Sequence, residues 1–492
     1  MSTQLAILQV VVPLLAAPLC LVISRTTLVW FFALVASIIS FFISLSLLIQ
    51  VMQSGTIIYS LGGWQAPVGI EYRIDHLSAY LLLIVSAISS VILLAAKTSI
   101  ENELPNRKRS LFYVVYLLCL AGMLGIVATG DVFNVFIFLE IAALSSYTLI
   151  AMGKDRRALT AALSYLLVGT LGATFILIGI GLMYMATGTL NMHDLSERLA
   201  HLSDSRTLIT AFSFFIVGVC LKLALFPLHW WLPNAYAFAP SIISALLAAT
   251  ATKVAIYILL RFVFTVFGSE FSFSVLPLQN ILLTLGLVGI LVASTLAIYQ
   301  QNVKQLLAYS SVAQVAYMML SLGLNNSTGL IATLLHLFNH ALMKGALFLA
   351  LAAVMFRTGS VQLQHFAGLG KQMPWTIAAI VIGGLSLIGI PLTVGFISKW
   401  YMLRASLENA WWPVAMVILL GSLLGAIYVW RIVEAAYFKP ALTTAQSVKE
   451  APFSLLLPTW LLTLANLYFG VDSRLTITVT ELAAQSLLKG PL

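Results

Sequence analysis

The chain has 492 residues, 61% of them hydrophobic and only 8% charged, with a net charge of +9 and a mean hydropathy of +1.04. Soluble domains carry roughly a quarter charged residues. The 25 basic and 16 acidic side chains present cannot coat a water-facing body of this size, which excludes a soluble enzyme, a secreted disulfide scaffold and a disordered chain. The basic excess is that of cytoplasmic loops in a membrane protein rather than of a nucleic-acid-binding surface.

Apolar stretches near 20 residues, enough to cross about 30 Å of hydrocarbon, occupy 4–24, 28–52, 77–97, 110–129, 132–152, 159–186, 207–238, 241–266, 278–300, 304–323, 328–356, 374–407, 411–438 and 453–470. They predict an all-α polytopic membrane protein of about 14 transmembrane helices. The runs are twice the length of a barrel strand and do not alternate, so strands are not expected. No Lys or Arg precedes the first stretch, which marks it as a retained span rather than a signal peptide. Cys20, Cys119 and Cys220 lie in separate apolar stretches and read as small core residues.

Two stretches are too long for one straight helix. The seventh contains Pro227 and Pro233, the twelfth Gly389, Pro391 and Gly395. Both are expected to break near mid-membrane, where unwound backbone is tolerated only in a protein interior or beside a wet cavity. Broken helices in two halves are the pattern of inverted-repeat transporters. The end of the sixth helix, Thr187-Gly188-Thr189-Leu190-Asn191-Met192, has a weak echo 171 residues on, at Thr358-Gly359-Ser360-Val361-Gln362-Leu363. Helices 4–8 and 9–13 are therefore candidate inverted five-helix units, giving an N-terminal helical region over 1–105, a first repeat over 106–270, a second repeat over 271–440 and a tail over 441–492. Fourteen basic residues, Lys304 among them, fall in odd-numbered loops; seven, Arg261 among them, fall in even-numbered loops and the tail. The positive-inside rule then places both termini outside the cytoplasm. The tail after Gly470 has partly helical spacing, suited to an interfacial helix or a partner contact.

Five charges fall inside the spans: Glu140, Lys222, Lys253, Lys344 and Lys399. At 2.5–3.5 kcal/mol each on insertion scales, they oppose insertion by roughly 12–18 kcal/mol before pairing or hydration. Four cations cannot all pair with one anion. Burial disfavours a charged lysine and a nearby carboxylate favours it, so a lysine whose charge depends on the proximity of Glu140 is a proton switch. The plainer reading is a set of buried salt bridges or snorkelling ends. His336, His340 and Lys344, spaced by four, stack along one face at roughly 6 Å per step and form a candidate proton stripe; the plainer reading is a polar helix–helix contact. Asn339 is off that face. His229, beside Pro227, is a candidate gate or a cap for free backbone groups, and Asp131 with Asn134 fits a helix start. Without a Cys cluster, a phosphate loop or a soluble domain, no cofactor, metal or enzymatic chemistry is expected.

Thr129-Gly130-Asp131-Val132-Phe133-Asn134-Val135-Phe136 leading to Glu140, then Lys222 through Pro227-Leu228-His229-Trp230-Trp231-Leu232-Pro233, with Thr252-Lys253-Val254, Ala308-Tyr309-Ser310-Ser311 and His340-Ala341-Leu342-Met343-Lys344, resembles the proton-translocating antiporter family. That family includes the antiporter-like subunits of respiratory complex I and the Mrp-type multisubunit Na+/H+ antiporters. Gly62-Gly63-Trp64-Gln65-Ala66-Pro67 and Gly169-Thr170-Leu171-Gly172-Ala173-Thr174-Phe175 are most similar to the Mrp D subunit. The resemblance implies a proton pathway of Glu140, Lys222, Lys253, His336, His340, Lys344 and Lys399, with a gate or break at Pro227, His229 and Pro391. It implies no metal or cofactor, a cell-membrane location, and as partners the other subunits of a hetero-oligomeric antiporter, membrane lipid, H+ and a monovalent cation such as Na+. Asn234 and Tyr236 depart from the Asp and His often found there in complex I relatives, and Ala255 replaces a common glycine. The alternatives are a proton-pumping subunit of a redox-driven complex, such as NADH:quinone oxidoreductase or a membrane-bound hydrogenase, and a purely structural scaffold.

Overall fold

The computed structural model describes residues 4–202, 205–441 and 448–489. Its main helices are α1 (Gln4–Val22), α2 (Thr26–Ser54), α3 (His76–Glu103), α4 (Asn106–Ala128), α5 (Val132–Ala151), α6 (Arg157–Thr187), α7 (Met192–Ala200), α8 (Arg206–Leu223) and α9 (Leu232–Phe238). They continue as α10 (Ser241–Val266), α11 (Leu278–Tyr299), α12 (Val303–Gly323), α13 (Ser327–Thr358), α14 (Pro374–Ile388), α15 (Val394–Glu408), α16 (Trp412–Phe438), α17 (Phe453–Val471) and α18 (Arg474–Leu488). Among the described residues, thirteen helices are long and apolar enough to cross a membrane. The twelfth expected span is the broken pair α14 and α15, and the seventh is α8 followed by α9. The protein is an all-α, multi-pass membrane protein.

One strand pair departs from the all-helical expectation. β1 (Ile57–Ser60) pairs antiparallel with β2 (Glu71–Ile74), Ile57 opposite Ile74 and Ser60 opposite Glu71. It lies between the second and third spans, where backbone groups can leave a helix without facing hydrocarbon. The tail packs back on the bundle: α18 buries Thr476, Val479, Ala483 and Leu487 against α3 and α13 of its own chain.

Helix ends follow local chemistry. Asp75, Asp131, Asn302 and Asn326 cap α3, α5, α12 and α13 by accepting backbone N–H groups. Gly188 and Gly359, both left-handed, end α6 and α13. The helices that carry most of the intramembrane charge lie at the centre: the spans of α10, α12 and α13 are each 94% buried, against 39% for α1, α16 and α17.

The sequence echo has a geometric counterpart. The Val132 N–H donates to Leu190 O (2.9 Å) and the Met192 N–H to Gly130 O (2.8 Å); 171 positions later Val303 donates to Val361 O (2.9 Å) and Leu363 to Gln301 O (2.8 Å). The breaks match as well. α8 ends at left-handed Ala224 with Leu225 N–H on Cys220 O (3.1 Å), and α14 ends at left-handed Gly389 with Ile390 N–H on Leu385 O (3.1 Å).

Candidate functional site

Lys222 occupies the last turn of α8, immediately before the break. Close approach of α6 and α8 at Gly172 and Gly218, where a Cβ on Gly218 would come within 2.6 Å of the Gly172 carbonyl oxygen, sets α8 in place. The break is tied down by Trp231, whose indole N–H donates to Leu221 O (3.1 Å) and whose ring stacks on Tyr165 at 3.8 Å. Lys222 Nζ then stands 3.6 Å from Glu140 Oε1, and neither atom has a direct hydrogen-bond partner among the described residues. The pair is asymmetric: the Lys222 side chain is 4% exposed and that of Glu140 28%, although Glu140 Oε1 itself is buried. A cavity of about 40 Å³ adjoins Lys222, bounded by Leu139, Ala142 and Ser146 of α5 and by Ala251 and Ala255 of α10, room for a few waters. His229 lies beyond the break, near the Phe226 and Tyr309 rings, its Nδ1 without a partner among the described residues. Pro227 sits in the unwound turn.

Lys253 is presented by a distortion of α10. Leu247–Ala251 is wound as a π turn, a local widening that frees carbonyls. The Lys253 ammonium donates to Ala248 O (2.5 Å) and Thr252 Oγ1 (3.3 Å), while the Tyr236 hydroxyl donates to Leu247 O (3.1 Å). Tyr236 thus supports the turn that holds Lys253.

The stripe on α13 forms as its spacing predicts. The His336 and His340 rings are stacked, 5.9 Å apart and within 4° of parallel. Lys344 donates to Leu307 O (2.8 Å) and to the Ser310 hydroxyl of α12. His336 bridges Gln314 Oε1 of α12 and Ser398 Oγ of α15, each at 2.8 Å. Both His340 ring nitrogens lack a partner among the described residues although the side chain is fully buried; water is the usual partner of such groups. Lys253 is within electrostatic reach of both His340 and Lys344. Asn339, off the stripe, donates to Val394 O (2.7 Å) at the start of α15.

Lys399 is held by a helix end rather than by an acid. It donates to Leu387 O and Ile388 O (2.9 Å each) at the C-terminus of α14 and to Ser422 Oγ (2.8 Å), and stands 4.9 Å from the Tyr317 ring centre. Unpaired terminal carbonyls and the negative end of the helix dipole suit an ammonium. The left-handed Gly389 makes this possible: a Cβ there would meet Lys399 Cδ at 2.8 Å. Pro391 lies in the unwound segment that follows. Among the described residues, the only ion pair made by these lysines is Lys222 with Glu140.

Two buried charges counted as loop residues lie inside the bundle. Lys304 is 2% exposed and donates to Ala239 O (3.2 Å) and Ser241 Oγ (3.1 Å), while Glu103 accepts the Ser241 N–H (2.9 Å). Arg261 is buried on α10 and paired with Asp75; it also donates to Ser78 Oγ (2.8 Å) and the Tyr257 hydroxyl oxygen (3.0 Å). The spacing of Lys253, Tyr257 and Arg261 by four was the available signal, masked because Arg261 stands near the end of an apolar window. Burial pushes the Asp75 carboxyl up, but the Arg261 guanidinium and the Ser78 N–H more than offset it and hold it below the ordinary carboxylate range. This cluster borders a polar cleft of about 60 Å³, with Arg73, Thr129, Gly130 and Ser486 in its lining. No three His, Cys, Asp or Glu among the described residues are grouped to hold a metal ion.

Comparison with known proteins places this arrangement. Residues 129–425 match the family described as NADH:quinone oxidoreductase/Mrp antiporter transmembrane proteins. The N subunit of the NADH-quinone oxidoreductase of Desulforudis audaxviator is 43% identical over 381 residues, covering 77% of this chain and 75% of that protein. The D subunit of the Na(+)/H(+) antiporter of Bacillus subtilis is 30% identical over 487 residues, covering 98% and 97%. Among solved structures, a chain of the membrane-bound sulfane sulfur reductase, an archaeal respiratory membrane complex, superimposes with a TM-score of 0.89 at 30% identity, over 99% of this chain and 98% of that one. A chain of the Mrp complex from a Dietzia species shares the fold, with a TM-score of 0.89 at 24% identity over 99% and 97%. The chain is therefore a member of the NADH:quinone oxidoreductase/Mrp antiporter family.

Proposed function

We propose that this chain is the proton-translocating subunit of a multisubunit monovalent-cation/H+ antiporter of the cell membrane, exchanging H+ for Na+ or a similar cation with other membrane subunits as partners. The observation that carries the reading is Lys222 facing Glu140 at 3.6 Å, followed by Lys253, Lys344, His336 and Lys399, held by carbonyls, hydroxyls and an amide instead of acids, with His340 among them lacking a partner among the described residues. A structural salt-bridge set would pair its charges; a row of unpaired bases costs insertion energy and suits proton transfer. Opening and closing of the Glu140–Lys222 pair changes the field on the next lysine, and the cavity beside Lys222 has space for the waters that would link it to α10. The His336–His340 stripe carries the proton on toward Lys399. His229 and the breaks at Pro227 and Pro391 gate the two ends of the row. Two five-helix units, 106–270 and 271–440, inverted relative to each other with both termini outside the cytoplasm, are the architecture we assign to this reading. The exposed side of Glu140 is where a neighbouring subunit would sit.

A second reading has its own support. The 43% identity to an NADH-quinone oxidoreductase N subunit and the 30% identity to a chain of an archaeal respiratory complex favour a proton-pumping role powered by a partner's redox chemistry. Transport by the whole complex in everted vesicles separates the two. Cation-dependent proton movement with Na+, K+ or Li+ and no electron donor supports the antiporter; proton movement only on addition of an electron donor supports the redox pump. Full activity of assembled Glu140→Ala and Lys222→Ala complexes under either regime would remove the pair from the mechanism.

A further inference from the structure

The cavity beside Lys222 and the polar cleft at Asp75 and Arg261 share two walls. On α4, Ile126 lines the cavity, and Thr129, just past its end, lines the cleft; on α10, Val254 and Ala255 line the cavity and Tyr257 and Arg261 the cleft. Three residues along a helix span about 4.5 Å, so less than one turn separates the two spaces. Tyr257 lines the cleft, and its hydroxyl reaches α4 between Ile126 and Thr129: it donates to Val127 O (2.9 Å) and lies 3.0 Å from both Ser78 Oγ and Arg261 Nε. The cleft reaches the surface at the exposed Thr56 and the half-exposed Ser486 of α18.

We infer that Tyr257 is the relay of a second proton path, joining the Glu140–Lys222 cavity to the cleft at Asp75 and Arg261 and giving this pair an opening of its own, separate from the row that runs along α13 to Lys399. The path rests on the proposed transport function. In each passage a proton leaves the Lys222 ammonium for cavity water, and a proton from that water reaches the Tyr257 oxygen as the hydroxyl gives up its bond to Val127 O, swings toward Ser78 and releases its own proton to water there. Tyr257 ends unchanged, and Lys222 is neutral until recharged from the Glu140 side. The Asp75 carboxylate beside the Arg261 guanidinium offsets a fixed positive charge that would otherwise repel the proton at this point. Arg73 and His193 are the other basic groups lining the cleft.

The test uses the whole complex in membrane vesicles, with proton movement followed by a pH-sensitive dye. Tyr257→Phe keeps the ring and removes the relay; it is expected to slow proton movement at least tenfold at an unchanged level of assembled complex, with a larger H2O/D2O rate ratio than wild type. A loss without that rise is structural and overturns the relay. Ser486→Trp fills the cleft from α18 while keeping Asp75, Tyr257 and Arg261 themselves and is expected to slow transport as well; should Tyr257→Phe fail to assemble, this variant decides, an unchanged rate overturning the path. Wild-type rates in both variants while Glu140→Ala is inactive overturn the path and leave the transport reading standing. Wild-type rates in all three, Glu140→Ala included, overturn that reading itself.

Discussion

Removing the charge of Glu140 while keeping its shape isolates what the pair contributes. At 3.6 Å from Lys222, unit charges attract with about 1 kcal/mol at the dielectric of water and about 5 kcal/mol at an effective value of 20. The 28% exposure of the carboxylate side chain argues for a result between these limits. If transport depends on forming and releasing that attraction, Glu140→Gln should slow it between roughly sevenfold and two-thousandfold, a factor of ten for each ~1.4 kcal/mol. Glu140→Asp retreats by one methylene, about 1.5 Å, and keeps about 3 kcal/mol at the same effective dielectric of 20. The expected order is therefore wild type, then Asp, then Gln. The assay is proton movement in vesicles at matched levels of assembled complex. A Gln variant as fast as wild type, or faster than Asp, would mean that the charge plays no part and that Glu140 serves only as a packed polar group.

Asp75→Ala should destabilise the protein by about 4–6 kcal/mol, from an unpaired buried Arg261 (~3–5) and a lost α3 cap (~1), whereas adding Arg261→Met should recover all but the cap; thermal unfolding of the purified protein reads the cycle. Because the Asp75 carboxyl lies below the ordinary range, its stabilisation is complete above the unfolded value of about 4 and is lost as pH falls through the lower folded value. The melting difference between wild type and Asp75→Asn should stay flat from pH 8 to 5 and close only in stronger acid. His340→Leu removes a buried ring whose nitrogens have no protein partner among the described residues; it should leave stability equal or higher and stop transport, and a destabilised variant with normal transport would make His340 a packing residue. Glu450 accepts the Trp375 N–H (2.8 Å) at the first turn of α14 and the Thr376 hydroxyl, so Glu450→Ala should cost about 1–2 kcal/mol and raise hydrogen exchange in 374–388 specifically.

Most of the bundle was legible because hydrocarbon imposes one simple rule: long apolar runs become helices. The five central charges were visible for the same reason, each standing out against its run. The two breaks were visible because each stretch was too long for one helix and carried its prolines and glycines near the middle; proline alone was not the signal, since Pro13, Pro18 and Pro458 lie inside helices. What stayed hidden obeys rules that apolar counting does not sample. Lys304 and Arg261 lie within a turn or so of a window's edge, where a loop and a buried helix end look alike. The β1–β2 pair is four residues per strand, too short for an alternating pattern to emerge. The π turn before Lys253 is built from Leu247-Ala248-Ala249-Thr250-Ala251, apolar in any helical form. Nor does a sequence say that Glu140 faces partly outward while Lys222 faces in; that depends on how α5 and α8 rotate against α6.

The widened turn of α10 makes Lys253 unusually sensitive to chain length. Its ammonium reaches Ala248 O because the helix there carries extra slack. Deleting one residue from 247–251 would restore regular winding with little change in the facing of residues beyond it, because the wide turn already holds the extra residue, but the Ala248 carbonyl would be taken up by a backbone N–H. Hydropathy, span count and family resemblance would barely change, yet the lysine would lose the carbonyl that holds its ammonium. A single-residue deletion in this alanine-rich stretch should therefore slow transport while leaving Lys253 and its span in place.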